Sequence, residues 1–299
     1  MTLPRVSVIT IFLDAERFLA ETIESVIAQS FREWELLLVD DGSSDGSPAI
    51  AWRLANRSDG RIRYVCHADR ANHGMSASRN LGLAQASGEF VAFLDADDVW
   101  VPDKLREQVD VLDAEPAAGL VYGRTQIWHS WSGTPEKPDF FYDLGVAPGR
   151  LYRPPRLFQL LLENKAQTPT TCNALIRRTL FQRLGGFDES FRAMFEDQTF
   201  FAKALLRAPA YVDDRVWARY RQHEGSCSAR SGARGDDQHA RLRFLRWLKD
   251  YMREFPDADA EARAALNREL LRHRLARGST LLKGAGRRLK GIARAARHA

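Results

Sequence analysis

The chain opens on Val6-Ser7-Val8-Ile9-Thr10-Ile11, a short apolar run of the kind that forms a buried strand. After Asp14, apolar Phe18, Leu19, Ile23, Val26 and Ile27 recur at helical spacing, with Glu16, Glu21 and Glu24 on the other face. A second strand, Trp34-Glu35-Leu36-Leu37-Leu38-Val39, runs into Asp40-Asp41-Gly42-Ser43-Ser44-Asp45-Gly46-Ser47. That stretch is loop chemistry followed by cap chemistry, and it predicts a helix over 47–57. Residues 61–66 read as a third strand, 76–86 as a helix and 89–94 as a fourth strand. Strands alternating with helices of this length predict right-handed βαβ units, hence an α/β fold with a mostly parallel sheet.

Pro102 starts a helix from Asp103 to about Ala114, and Gly119-Leu120-Val121-Tyr122 is another short strand. Over 130–156 the prolines 135, 138, 148, 154 and 155, with Gly133, Gly145 and Gly149, break any periodicity. A loop of that length is functional or mobile. Regular structure resumes at Phe158–Leu162, with a strand near Cys172–Ile176 and a helix over Arg178–Leu184 stopped by Gly185-Gly186. A helix near 197–207, strands near 210–222 and a helical, increasingly basic segment beyond 237 complete the pattern.

Composition adds little to this picture, but the distribution of charge adds something. The net charge is +5, yet residues 268–299 hold ten Lys or Arg against one acid, Glu269. That tail carries +9, which leaves −4 for residues 1–267. Cys66, Cys172 and Cys227 are scattered and odd in number, which fits a reducing compartment. No apolar leader precedes Val6, so a cleaved signal peptide is not expected, and no window approaches the roughly 20 apolar residues of a membrane span.

The candidate chemistry gathers at strand ends. Phe90–Leu94 stops in Asp95-Ala96-Asp97-Asp98, and clustered carboxylates are costly unless a cation or donors neutralise them. Asp95 and Asp97 project to the same side of an extended segment and could share one hard ion, Mg2+ or Mn2+, whose other positions take diphosphate oxygens. The competing reading is a cap, with Asp97 or Asp98 serving the helix that Pro102 opens. Asp-x-Asp-x-Val also resembles the nucleophile motif of haloacid-dehalogenase-like phosphatases, although there the motif usually closes the first strand. Asp40 and Asp41 could accept from a base N–H or a ribose hydroxyl, or simply build a turn. Asp197, in Glu196-Asp197 at a helix start, is either a dipole partner or a general base. His223 carries no signal by spacing, Arg221 could meet a phosphate, and Arg79 could face a nucleotide.

Taken in order, these residues resemble the family 2 glycosyltransferases of bacteria, of GT-A fold and non-processive type. The matching segments are Val6–Thr10, Asp14–Leu19, Ser25–Ser30, Glu35–Ser47, Ser78–Gly82 and Ala86–Glu89 running into Asp95–Asp98. They resume at Gly185–Glu189, Glu196-Asp197 and Arg221-Gln222-His223. The resemblance implies that Asp41 contacts the nucleobase with Asp40 beside it, and that Ile11, Leu13 and Arg79 also lie at the nucleotide. It implies that Asp95 faces the ribose and diphosphate, that Asp97 ligates the metal, and that His223 is a ligand to metal or diphosphate. Asp197 would be the base of an inverting, single in-line displacement. Family members commonly carry an aromatic residue and Asn where this chain has Leu13 and Asp14, and no Gln-x-x-Arg-Trp motif follows Asp197.

The expected organisation is a GT-A domain over 1–236, with a nucleotide-sugar half (1–125) and an acceptor half (126–236), then a helical basic extension over 237–299. The expected partners are a nucleoside-diphosphate sugar, most commonly of UDP, and a saccharide or lipid-linked acceptor in cell-surface polysaccharide or glycolipid assembly. The leucines interleaved with the cations of 268–299 suggest an anionic membrane surface, hence a cytoplasmic protein peripheral to the inner face of the membrane. The region has no aromatic platform for single strands, so nucleic acid is not expected. The alternatives are a metal-dependent phosphatase or phosphoryl-transfer enzyme and a catalytically silent sugar-nucleotide binder.

Overall fold

A computed structural model describes residues 3–133, 136–192, 194–227, 229, 237–255 and 259–275. The first half is built from β1 (Val6–Phe12), α1 (Leu19–Ile27), β2 (Trp34–Asp40), α2 (Ser47–Ala55), β3 (Ile62–Cys66), α3 (Met75–Gln85) and β4 (Phe90–Phe93). Next come β5 (Val99–Trp100), α4 (Lys104–Ala114), β6 (Leu120–Trp128), β7 (Arg150–Tyr152), α5 (Arg156–Glu163), β8 (Ala174–Arg177), α6 (Arg178–Leu184), α7 (Glu196–Arg207) and β9 (Ala210–Arg221). Two further helices follow, α8 (Asp237–Arg253) and α9 (260–275).

Among the described residues all nine strands join one sheet, ordered β3-β2-β1-β4-β8-β6-β9-β5, with β7 paired to β9. The pairings among β3, β2, β1 and β4 are parallel, as βαβ repetition requires. From there the sheet turns mixed: β8 inserts antiparallel to both β4 and β6, while β6 and β9 run parallel. The boundary drawn at residue 125 therefore falls inside β6.

The central strands are apolar at nearly every position because both faces are covered. Along β1, Val6 and Val8 enter one core cluster while Ile9 and Ile11 enter the other. Leu36 and Leu38 against Leu37 and Val39 on β2 repeat the division, as do Phe90 and Ala92 against Val91 and Phe93 on β4. Helices α1, α2 and α4 close the first face through Leu19, Ile23, Val26, Ala51, Leu105 and Val109. On the second face α5, α6 and α7 are joined by Phe244, Leu245, Leu248 and Met252 of α8 and by Ala262, Leu266 and Leu270 of α9. The C-terminal helices thus share the core of the sheet, and the basic residues beyond 275 lie outside the described residues.

The segment 130–156 departs from a plain loop. It holds a short 3-10 turn (Ser130–Ser132), strand β7 and an antiparallel bridge between Ile127 and Phe140. Asp139 organises it by accepting from the backbone N–H groups of His129 (2.7 Å) and Ser130 (2.8 Å) and from the Gln126 side chain (2.9 Å). Phe158–Leu162 belongs to a helix, α5, whose leucines face the core.

Candidate active site

The parallel strands β1, β2 and β4 end along one edge of the sheet, where an open α/β fold places its ligands. There a cleft of about 1510 Å3 is lined by Ile11, Leu13, Asp41, Arg79, Asp95 and Asp97 from the first half. Asp197 and His223 line it from the second half.

Asp40 and Asp41 follow the alternation of β2 and part ways. Asp40 turns from the cleft: one oxygen accepts from the Ser43 N–H (2.8 Å) and the other from the Tyr64 hydroxyl (2.6 Å). The expectation that Asp40 contacts the nucleotide is corrected on this ground: Asp41 lines the cleft, whereas Asp40 does not and serves to hold the turn. Asp41, buried at the cleft wall, accepts from the His73 N–H at 2.8 Å, the Gly74 N–H at 3.0 Å and the Ser78 hydroxyl at 2.8 Å. The turn that follows them depends on Gly42, whose φ is +88° and where a Cβ would meet the Ala71 carbonyl carbon at 2.9 Å. Ile11 and the half-exposed Leu13 complete this corner.

Arg79 is buried on α3, and its guanidinium donates to Asp95 at 2.9 Å and to Glu196 at 2.9 Å. Burial alone would lower its pKa, but the two carboxylates outweigh burial and raise it. Arg79 is thus a bridge between two halves of the cleft, which it also lines. The second Asp95 oxygen accepts from the Thr171 hydroxyl at 2.8 Å, so Thr171 on the loop before β8 fixes the carboxylate. Spacing gave no sign of Thr171 or of Glu196 as a partner of Arg79; both arrive from across the sheet.

His223 Nε2 lies 2.9 Å from Asp97 Oδ2, which brings together the two residues expected at a metal. Asp98 is fully buried, accepts from the Arg221 N–H at 2.9 Å and has its other oxygen unpartnered. Burial first, and then the charges of Asp97 and Asp95, push its pKa well up. Neither Asp97 nor Asp98 caps the helix after Pro102, whose N-cap is Asp103. Arg221 is not free for a phosphate: it donates to the Asp97 carbonyl (2.7 Å) and to Glu21 (2.6 Å). Its guanidinium also lies 4.5–5.2 Å from the rings of Phe18, Trp128 and Trp131. It is a strut that ties the end of β9 to the acidic loop.

Asp197 stands in the first turn of α7, behind Phe195, whose φ of +68° is strained for a bulky residue. One Asp197 oxygen accepts from the Gln198 N–H at 2.7 Å. Burial first and the neighbouring Glu196 next raise its pKa to about 7, against the opposing charge of Arg79. A carboxylate poised there can take a proton from a hydroxyl near neutral pH.

For a divalent ion, the fit rests on Asp97 and His223, which face one point, with Asp95 close by but engaged by Arg79 and Thr171. Among the described residues no group of three or more His, Cys, Asp or Glu forms a self-sufficient metal cage. A carboxylate and an imidazole completed by ligand phosphates suit Mn2+ and, less well, Mg2+, so the donor set fits a divalent ion.

The same architecture recurs in solved structures. Staphylococcus aureus TarS residues 1–349 in complex with UDP-GlcNAc superposes with a TM-score of 0.69 at 21% identity, covering 91% of this chain and 73% of that one. A mannosyltransferase from Pyrobaculum calidifontis in complex with GDP-Man and Mn2+ gives 0.60 at 21% identity, covering 98% and 81%. The fold is therefore the GT-A type of nucleotide-sugar transferases. The model of glycosyl transferase family 2 matches residues 7–185, and the chain belongs to that family. An Escherichia coli UDP-Glc:α-D-GlcNAc-diphosphoundecaprenol β-1,3-glucosyltransferase is 35% identical over 122 residues, 41% of this chain and 46% of that protein. Two other relatives are covered over 36% and 39% of their length, so the likeness to such proteins concerns part of each.

Proposed function

We propose that this protein transfers a sugar from a nucleoside diphosphate to a hydroxyl of a saccharide or lipid-linked acceptor, with inversion at the anomeric carbon. The observation that carries this reading is the meeting of Asp97–His223 and Asp197 in one cleft, joined through Asp95, Arg79 and Glu196. Asp197 takes the proton of the attacking hydroxyl while the sugar–phosphate bond breaks on the opposite side. Asp97 and His223 would hold Mn2+ or Mg2+, which supplies charge neutralisation for the departing diphosphate. Asp41 receives the nucleobase. Three donors already reach its carboxylate, and the acceptor capacity that remains suits a base presenting a single N–H, as uracil does. The UDP-GlcNAc complex of TarS and the UDP-glucose specificity of the Escherichia coli relative support that choice.

The phosphatase reading is disfavoured by Asp95. A nucleophilic carboxylate needs an open oxygen, and both of its oxygens are engaged by Arg79 and Thr171. A membrane-surface role for 268–299, and with it a place at the cytoplasmic face, draws on the +9 charge of that segment. Leu271 and Leu275, 55% and 65% exposed one turn apart on α9, support it, and no described helix is long and apolar enough to cross a membrane.

Thermal unfolding with UDP, GDP, dTDP or CMP, each with Mn2+, Mg2+ or EDTA, tests the reading. Ligands that bind the native state raise its stability with the logarithm of their excess. The expected result is a metal-dependent rise with UDP; no rise with any of the four overturns it.

A further inference from the structure

Asp41 and His67 sit side by side because β2 and β3 pair in parallel with Asp40 opposite Cys66, and each residue follows directly. Between them stands Ser78, fully buried in the first turn of α3. The three side chains form a chain of hydrogen bonds: Ser78 Oγ to Asp41 Oδ1 at 2.8 Å, and His67 Nε2 to Ser78 Oγ at 2.9 Å.

The direction of these bonds follows from proton counting. Asp41 is met by the backbone N–H groups of His73 and Gly74 at 2.8 and 3.0 Å, so it acts as an acceptor. A serine hydroxyl owns one proton, and that of Ser78 is spent on Asp41. Toward His67 the Ser78 oxygen can only accept, so His67 Nε2 must carry a hydrogen. His67 Nε2 is 3.8 Å from Asp41 Oδ1, so the imidazole works through Ser78 and not by direct contact. His73 stacks on His67 with ring centroids 4.1 Å apart and planes 20° from parallel, and its own Nε2 is held 2.9 Å from Asp69. The ring of His67 is thereby fixed on one face by another ring and at its tip by a hydroxyl.

We infer that His67 is a specificity-positioning residue: through Ser78 it locks Asp41 as a pure acceptor, and so selects a nucleobase that presents a ring N–H over one that presents a bare ring nitrogen. The inference rests on the reading of Asp41 as the nucleobase contact. Uracil meets the locked carboxylate with its ring N–H, whereas cytosine would bring a lone pair against it and leave both groups unpaired. An unpaired buried polar group is a strong basis for discrimination. Releasing Ser78 lets its hydroxyl rotate away, which removes one of the donors that fix the Asp41 carboxylate and so weakens the preference for a ring N–H.

Two measurements test this. In 15N-labelled protein at mildly alkaline pH, a long-range 1H–15N correlation spectrum, with the His67 signals assigned by their loss in His67→Gln, is expected to show the proton on Nε2. A proton on Nδ1 alone overturns the relay. Calorimetric binding of UDP and CDP in the presence of Mn2+ reads its consequence. The ratio of the two affinities should fall about tenfold in His67→Phe and in Ser78→Ala. In His67→Gln, whose amide can still donate to Ser78, the ratio should stay near that of the unaltered protein. An unchanged ratio in His67→Phe overturns the role in base selection. Failure of UDP to bind the unaltered protein sinks the nucleotide reading and this role with it, while the relay itself stands or falls on the spectrum.

Discussion

His223 Nε2 and Asp97 Oδ2 lie 2.9 Å apart although 126 positions separate them in sequence. The pair exists because Arg221, two residues upstream of His223, is clamped to the Asp97 carbonyl and to the Asp98 carboxylate. Strand β9 thereby delivers an imidazole to the acidic loop after β4. An imidazole beside a carboxylate suits a transition ion better than Mg2+. His223→Ala is therefore expected to weaken Mn2+ binding in the presence of UDP by at least about tenfold and to affect Mg2+ less. Titration of each ion by calorimetry checks it, and equal loss for both ions would remove His223 from the coordination sphere.

Asp197→Asn keeps the shape and the Gln198 contact of this residue while removing its ability to take a proton. Transfer should fall by about 10²–10⁴-fold, the usual contribution of a general base, with UDP affinity little changed. Donor turnover against calorimetric binding separates the two. A variant that retains wild-type turnover identifies another base; one that loses binding as well makes Asp197 a structural residue.

The raised pKa of Asp197, about 7, sets two pH trends of known sign. The base acts ionised, so transfer should rise with pH through about 7 and then level. For stability the folded protein holds this proton to higher pH than the unfolded chain, whose carboxyl titrates near 3.8. Stability is thus lost as pH rises from 3.8 towards 7, and the full penalty applies above that. Asp197→Asn removes the penalty, so its melting temperature should gain on the unaltered protein as pH rises through this window. A constant difference between the two from acid to alkaline pH would contradict the assignment.

The strands and acidic loops of the first half were legible because burial on both faces of a parallel sheet writes near-continuous apolar runs, each ending abruptly in carboxylates. Asp41, Asp95, Asp97 and Asp197 all line one cleft, and so does His223, which only the family resemblance suggested. The partners that give these residues their state were not legible. Ser78 and His67 on Asp41, Thr171 on Asp95 and Glu196 on Arg79 come from other elements, and such contacts leave no periodic trace. Asp40 was misplaced for a related reason: its neighbour differs from it only by the alternation of β2, and only the fold shows which face is the cleft. The insertion of β8 between β4 and β6 likewise follows from pairing of strands 80 or more residues apart for β4, which local pattern does not record.

Arg79 donates one terminal nitrogen to Asp95 and the other to Glu196, with only 2% of its side chain exposed. This bridge joins Asp95 to the turn bearing Asp197. Glu196 is buried, and its pKa is raised by that burial against the pull of Arg79. Arg79→Met fills a similar volume but leaves two carboxylates facing each other without a cation. The expected cost is about 3–5 kcal/mol in urea unfolding at neutral pH, the usual result of stranding a buried charge. Because Glu196 can neutralise itself by taking a proton, the deficit should shrink as pH falls below neutral. The double variant Arg79→Met, Glu196→Gln should recover much of the stability without restoring transfer, since Asp95 still lacks its guanidinium. A loss below about 1 kcal/mol in the single variant would place this pair with exposed ion pairs and end its claim to hold the cleft together.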